Sequence, residues 1–225
     1  MSFKHRVWDL PTRSFHWALA LSVVGLFISG NVGGNAMLWH MRLGYFVASL
    51  LLFRVVWGFV GGYWSRFAQL RLAPQALLVY LRGQSGQAPH DHLGHSPTGS
   101  WSVVALLSLL FAQVTAGLFS DDDIFTAGPL AAHASSDVVS SATFYHTGPG
   151  KLAVVLLVVA HVAAIWFYAK KKKRNLLPAM VYGDHEGVVA VDAPESVDGV
   201  AHALFGLVVW LVCAGAVAVL VSAYG

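Results

Sequence analysis

The sequence contains little cysteine and little charge. Among its 225 residues the single cysteine, Cys213, excludes an internal disulfide, a four-cysteine iron–sulfur cluster and a Cys-x-x-Cys-His site for covalent haem. Charged residues make up 11% of the chain and hydrophobic residues 56%, and the mean hydropathy is +0.62. A chain with so few charges cannot cover itself with polar surface, so lipid is the expected solvent.

Five apolar segments are long enough, alone or with short extensions, to cross the hydrocarbon core of a bilayer as helices. Glycine-containing or polar stretches separate them, and the last of these stretches is acidic. The spans are expected at about residues 15–29 (extendable back to Pro11), 39–60, 100–119, 151–169 and 200–223. The sequence therefore predicts an all-α membrane protein.

Basic residues mark one side of the membrane. Because lysine and arginine concentrate in cytoplasmic segments, this side is expected to be the cytoplasm, with the N-terminus inside and the C-terminus outside. The net charge of +3 does not indicate a nucleic-acid partner, since the basic residues flank apolar runs instead of forming one solvated face. The eleven basic residues on this side are Lys4, Arg6, Arg13, Arg66, Arg71, Arg82, Lys170, Lys171, Lys172, Lys173 and Arg174.

Four histidines lie in or beside the spans, where an ionisable residue is costly and so indicates a function. The expected topology places His16 and His161 toward the inner side, and His40 and His146 toward the outer side. His146 and His161 are fifteen residues apart, which is close to a whole number of helical turns, and both can therefore face one core. Fifteen residues of helix are about 22 Å long.

Two imidazole pairs at two depths match the needs of two haems, because each iron takes axial ligands from opposite sides. A zinc site would need its ligands to converge on one centre, and a single membrane histidine commonly forms only an interhelical hydrogen bond. His133 is an alternative outer ligand, and His90, His92 and His95 are an alternative metal site. The sequence favours two non-covalent b haems with bis-histidine ligation.

Two glycines and two arginines are further candidates for cofactor contacts. Gly25 and Gly44 would let a flat macrocycle approach a span, although close helix packing explains either glycine equally well. Arg54 lies inside the second span, where a buried guanidinium needs an anion such as a haem propionate, or else extends to the inner headgroups. Arg42 and Lys151 flank the outer site and would neutralise propionates, attract an anionic substrate or mark the interface.

Several stretches together carry a family resemblance. They are VWDLPTRSFHW at 7–17, HMRLGYFVASLLLFRVVWGFVG at 40–61, GHSPTGSW at 94–101, GLFSDDDIFTAGPL at 117–130 and LLVVAHVAAIWFY at 156–168. They resemble the bacterial cytochrome b561 family, which includes the b-type cytochrome subunits of nickel–iron hydrogenases. His16, His40 and His161 match its haem ligands. His146 departs from the pattern, because it lies one residue farther from His161 than usual and Gly148, Pro149 and Gly150 intervene.

The resemblance implies a transmembrane four-helix haem-binding bundle over residues 1–182. The residue pattern alone adds an acidic loop and a fifth C-terminal transmembrane helix over 183–225, which the resemblance does not cover. The resemblance also implies electron transfer, in a bacterial inner membrane, between a redox partner at the outer face and the quinone pool. The partner would be a c-type cytochrome or a redox-enzyme subunit. Two alternatives are a stand-alone superoxide:quinone oxidoreductase and a haem-free transporter or proton relay, although the spans lack Asp and Glu.

Overall fold

A computed structural model describes residues 4–83, 93–122, 126–186 and 193–225 of the chain. The candidate ligands His90 and His92 lie outside these ranges. His95, the third residue of that alternative metal site, lies two residues before the helix that begins at Pro97, with its ring 4.7 Å from the ring of Trp8. Within the described residues no group of three or more His, Cys, Asp or Glu side chains is arranged to hold a metal ion.

The described part of the chain is almost entirely helical. Two short strands, which pair antiparallel with each other, and several 3-10 turns lie outside the α-helices. The elements in chain order are β1 Lys4–Arg6, α1 Leu10–Val32, α2 Met37–Val60, α3 Pro74–Leu81, α4 Pro97–Phe119, α5 Ser136–Thr147, α6 Pro149–Lys171, α7 Leu177–Tyr182, β2 Asp184–Glu186 and α8 Val200–Tyr224.

Five helical segments of the described chain are long and apolar enough to cross a membrane, which confirms the predicted all-α membrane fold. Many of their apolar side chains face outward. Val200, Val212 and Val219 of α8, for example, are 79%, 68% and 68% exposed. Such surfaces would be unfavourable in water and are suited to contact with lipid.

The fourth span differs from its prediction at its N-terminal end. Residues 136–147, which were expected to belong to a break, form α5, and α6 follows after Gly148. The segment containing α5 and α6 is one continuous candidate span, Ser136–Lys171. The prediction was wrong because Gly148, Pro149 and Gly150 suggest a loop, whereas proline is also favourable in the first turn of a helix, where its missing N–H is not needed.

The described residues form two compact units. Unit 1 comprises residues 1–14, 54–105 and 160–208, and unit 2 comprises residues 15–53, 106–159 and 209–225. The core of unit 2 is built from Val47, Leu51, Leu110 and Val154. Unit 1 has a core cluster of Val7, Trp8, Trp64 and Leu93. α1, α2, α4, α6 and α8 each contribute residues to both units.

Asp9 is the centre of a buried junction in unit 1. Its carboxylate is 0% exposed and accepts hydrogen bonds from the main-chain N–H groups of Thr12 at 2.8 Å and Gly62 at 2.9 Å. The Ser65 hydroxyl donates to it at 3.1 Å and the Trp57 indole N–H at 3.3 Å. Asp9 thereby caps the start of α1 and fixes the chain that follows α2.

The fifth span, α8, packs against other parts of each unit. In unit 1, His202 Nε2 is 3.4 Å from the Asp9 carboxylate, and the Phe205 ring centre is 5.7 Å from that of Trp57. In unit 2, the Trp210 indole donates to the Ser49 hydroxyl at 3.2 Å. No role was predicted for this helix, and these contacts indicate that it stabilises both units.

Candidate functional site

Unit 2 brings the imidazole rings of His40 in α2 and His146 in α5 close together. The centres of their imidazole rings are 6.0 Å apart, and the ring planes are nearly perpendicular, at 87°. A transition metal binds each imidazole nitrogen at about 2 Å, so two rings that share one ion from opposite sides have centres about 6 Å apart. The two side chains are therefore spaced as a pair of axial ligands would be.

Both histidines line a cavity within unit 2 of about 570 Å³, a size typical of sites for small ligands and cofactors. Its wall is mainly apolar, which suits a hydrophobic macrocycle, and includes Val47, Leu110 and Val154. Polar residues are a minority of the lining: Asn31, Gln113, Ser120, Asp121, Asp122, Thr126, Thr143, Thr147 and Lys151. An apolar cavity with two opposed imidazoles and a few polar groups fits a non-covalent haem.

The ring of His40 is held in one tautomer. Its Nδ1 lies 3.0 Å from the main-chain carbonyl oxygen of Leu26 and 3.3 Å from the hydroxyl of Ser29. A carbonyl can only accept a hydrogen bond, so Nδ1 carries the proton and Nε2 keeps its lone pair. Metal-binding histidines are oriented in this way, with one ring nitrogen donating to a carbonyl and the other available for the metal.

His146 has the same arrangement on the opposite side. Its Nδ1 donates to the main-chain carbonyl of Gln113 in α4, at 2.9 Å. The Nε2 atom therefore carries the lone pair in this residue too. A neutral pair with both lone pairs at Nε2 has the protonation state that metal ligation requires.

Two glycines that the sequence did not single out make room for these rings. A Cβ atom at Gly30 would lie 3.0 Å from His40 Cε1, and a Cβ atom at Gly117 would lie 2.8 Å from His146 Cε1. Any larger residue would therefore press on an imidazole. Gly117 was part of a quoted motif and Gly30 was not, and only the position of the histidines across the helices makes either glycine significant.

The two glycines predicted from the sequence have different surroundings. A Cβ atom at Gly25 would lie 2.9 Å from Leu43 Cδ1, so this glycine allows α1 to pack closely on α2. Gly44 lines the cavity, and a Cβ atom there would have no neighbour within 4 Å among the described residues. A cofactor contact thus stays a prediction for Gly44, whereas helix packing accounts for Gly25.

The remaining candidate histidines lie elsewhere. His16 of α1 belongs to unit 2 and His161 of α6 to unit 1, and each is half-buried. The meeting of these two residues at an inner haem stays a prediction. His133, the alternative outer ligand, has its ring 5.1 Å from that of Tyr224, and it is not among the residues that line the cavity.

The three basic residues predicted to contact a cofactor or substrate have different surroundings. Arg54 in unit 1 is only 4% exposed, with its guanidinium 4.8 Å from the centre of the Phe67 ring, a burial that disfavours extension to the headgroups. Its Nη1 atom has no hydrogen-bond partner among the described residues. In unit 2, Lys151 lines the cavity, whereas Arg42 lies over the Trp39 ring at 5.2 Å and is not part of the lining.

Comparison with known proteins gives one family match and two curated relatives. The family described as prokaryotic cytochrome b561 matches residues 7–183, which excludes α8. One relative, from Azotobacter chroococcum mcd 1, is named a probable Ni/Fe-hydrogenase B-type cytochrome subunit. It is 26% identical over 196 residues, which covers 70% of this chain and 79% of the relative.

The second relative carries the same name and comes from Azotobacter vinelandii. It is 27% identical over 137 residues, with 48% of this chain and 56% of that protein covered. No solved structure matches the chain.

Proposed function

This chain belongs to the prokaryotic cytochrome b561 family, and we propose that it binds two haem b groups and carries electrons between a redox partner at the outer face and a quinone. The family match and the five spans identify a multi-pass bacterial membrane protein of the b-type cytochrome class. The ligand pairs would be His40 with His146 and His16 with His161.

The juxtaposition of His40 and His146 carries the proposal. Their ring centres are 6.0 Å apart beside an apolar cavity, and carbonyl oxygens hold the Nδ1 protons of both. When bound, haem b supplies reversible one-electron chemistry at its iron. The protein supplies the two neutral imidazoles, excludes water with the cavity wall, and orients each ring through a hydrogen bond to Nδ1.

The inner pair rests on depth and spacing. His161 follows His146 by fifteen residues, and fifteen residues of regular helix are about 22 Å long. In the expected topology α1, which carries His16 in its first half, begins on the same side of the membrane as the basic cluster 170–174 at the end of α6. This depth matching supports a second haem near the inner side.

Arg54 supports an acidic group near the inner haem. The guanidinium is 4% exposed and already interacts electrostatically with Asp9, but its Nη1 atom has no hydrogen-bond partner in the described chain, and a propionate could supply that acceptor. Replacing Arg54 by leucine should lower the midpoint potential of the inner haem, because a nearby positive charge favours the reduced form. A redox titration resolved for the two haems tests this, with the exposed Arg82→Leu as the control. An unchanged inner potential in Arg54→Leu would exclude this role.

Hydroxyl groups in unit 1 are suited to a quinone. The phenol oxygens of Tyr80 and Tyr168 are 2.5 Å apart, and Thr98 lies 3.2 Å from Tyr168. Burial, together with the hydrogen bond to Tyr168, raises the pKa of Tyr80 to about 12, so this phenol stays protonated at neutral pH. Tyr168 lies seven residues, or about two turns, after His161 on α6. These groups therefore offer hydrogen bonds to a quinone near the inner haem.

The outer face favours a protein partner over superoxide. Lys151 lines the cavity, but Asp121 and Asp122 line it too, and the two carboxylates oppose the approach of an anion. The named relatives are probable hydrogenase subunits, which supports a redox-enzyme partner for this chain.

The test is the haem content of the purified full chain after expression with ample haem. We expect two haems per chain, a b-type reduced-minus-oxidised spectrum and reoxidation of the reduced protein by a quinone analogue. Addition of superoxide without a protein partner should give no quinone reduction above the rate without the chain. A colourless protein would refute the proposal, and rapid quinone reduction by superoxide would replace the relay role with the stand-alone enzyme.

A further inference from the structure

The helix that carries His146 is interrupted directly after this residue. α5 ends at Thr147, Gly148 has φ −110° and ψ −103°, and α6 begins at Pro149. Proline has no N–H, so the carbonyl of Tyr145, four residues earlier, loses its usual helical partner. Carbonyl groups at a helix end depend on partners outside the helix. The main chain of the proposed ligand is thus less constrained by its own helix than that of His40, which lies within α2.

Gln113 of α4 supplies outside contacts at this point, and it does so twice. Its side-chain Nε2 donates a hydrogen bond to the main-chain carbonyl of His146, at 2.8 Å. Its own main-chain carbonyl accepts the Nδ1 proton of the His146 ring, at 2.9 Å. One residue therefore holds both the backbone and the imidazole of His146.

The space for this contact depends on a glycine within the interruption. A Cβ atom at Gly150 would lie 2.3 Å from Gln113 Oε1, so any larger residue would displace the amide. The Oε1 atom is buried and has no hydrogen-bond partner among the described residues. A buried oxygen without a hydrogen bond costs folding free energy. In the described part of unit 2, the hydrogen bond from Gln113 Nε2 to the His146 carbonyl offsets this cost.

We propose that Gln113 is a positioning residue that sets the orientation of the His146 ring at the outer haem, with Gly150 providing its space. The inference rests on the proposed role of His146 as a ligand. The backbone bond from Gln113 fixes where α5 ends, and therefore the direction in which Nε2 points. The bond to Nδ1 increases electron donation by the imidazole.

Two variants test the contact from its two sides. Gln113→Leu removes the side-chain donor and keeps the main-chain carbonyl, while Gly150→Ala keeps the donor and displaces it. The controls are Gln75→Leu, at an exposed position of α3, and Gly215→Ala in α8, where a Cβ atom meets no described neighbour within 4 Å. The measurements on the full-length holoprotein are a redox titration that resolves both haems and the low-spin EPR spectrum, which depends on the relative orientation of the axial rings.

Both variants should retain two haems and change only the outer one. We expect a tenfold change in its reduced-to-oxidised ratio at a fixed potential, about 59 mV for one electron, together with a shifted EPR signal. Wild-type potential and EPR spectrum in either variant that retains both haems would overturn the inference. If neither variant binds the outer haem while both controls do, the contact is still supported. Retention of both haems in His146→Ala would instead refute the ligand assignment, which is a failure of the proposed function.

Discussion

His146→Ala is expected to remove the outer haem and to leave about half of the haem content, because the iron would lose one of its two proposed axial imidazoles. His40→Ala should have the same effect, since the two rings face each other with centres 6.0 Å apart. His161→Ala should remove the other haem and largely spare the outer one. The measurement is haem per chain by pyridine haemochrome, together with the reduced-minus-oxidised spectrum.

His133→Ala is the matched control for the outer site. This histidine belongs to the same unit, but its ring contacts Tyr224 and it does not line the cavity. Its replacement should leave both haems in place. A loss of haem in His133→Ala with none in His146→Ala would show that the outer ligand is wrongly assigned, and loss of neither haem in any histidine variant would refute the pairing.

Asp9→Ala is expected to destabilise the protein by about 3 kcal/mol or more, the range for removing one partner from a buried charged network. The substitution would remove the shared acceptor of the Gly62 N–H group, the Ser65 hydroxyl and the Trp57 indole at a site that is 0% exposed. Asp9→Asn keeps one acceptor oxygen and should have a smaller effect. The measurement is the midpoint of thermal unfolding in detergent, followed by circular dichroism.

Asp137→Ala provides the comparison, because Asp137 is an exposed carboxylate in the first turn of α5. Its replacement should change stability by no more than about 0.5 kcal/mol. Equal midpoints for Asp9→Ala and the wild type would mean that the junction around Asp9 contributes nothing to stability.

The spans were predictable because lipid imposes a simple rule on composition and length. Each membrane helix needs a long apolar run. The second and third spans end in the structure at the predicted residues, Val60 and Phe119. The N-terminal end of the fourth span did not follow the rule. Its residues 136–147 include the polar residues Ser136, Asp137 and Thr147, so a search for long apolar runs leaves this helix out.

The proximity of His40 and His146 was predictable from the sequence, whereas the groups that hold their rings were not. Histidine at membrane depth is rare enough to be noticed in a sequence, whereas Gly30, Gly117 and Gln113 have no such signal. Their roles depend on which helix faces which, and they act through a carbonyl, an amide or an absent side chain. Asp9 was missed for a related reason, since its donors come from residues 48 or more positions away as well as from the nearby Thr12.

The partners of the N-terminal segment come from the far end of the chain, which has a consequence for the order of biosynthesis. β1 pairs with β2, the Leu10 N–H donates to Asp198 at 2.8 Å, and His202 approaches Asp9. A ribosome that has released residues up to Lys171 has already delivered all four candidate ligand histidines to the membrane. Haem can therefore bind before the N-terminal segment makes its contacts with β2, Asp198 and His202. A nascent chain arrested at that stage should already show haem absorption. Protease should still cleave it readily in the N-terminal segment.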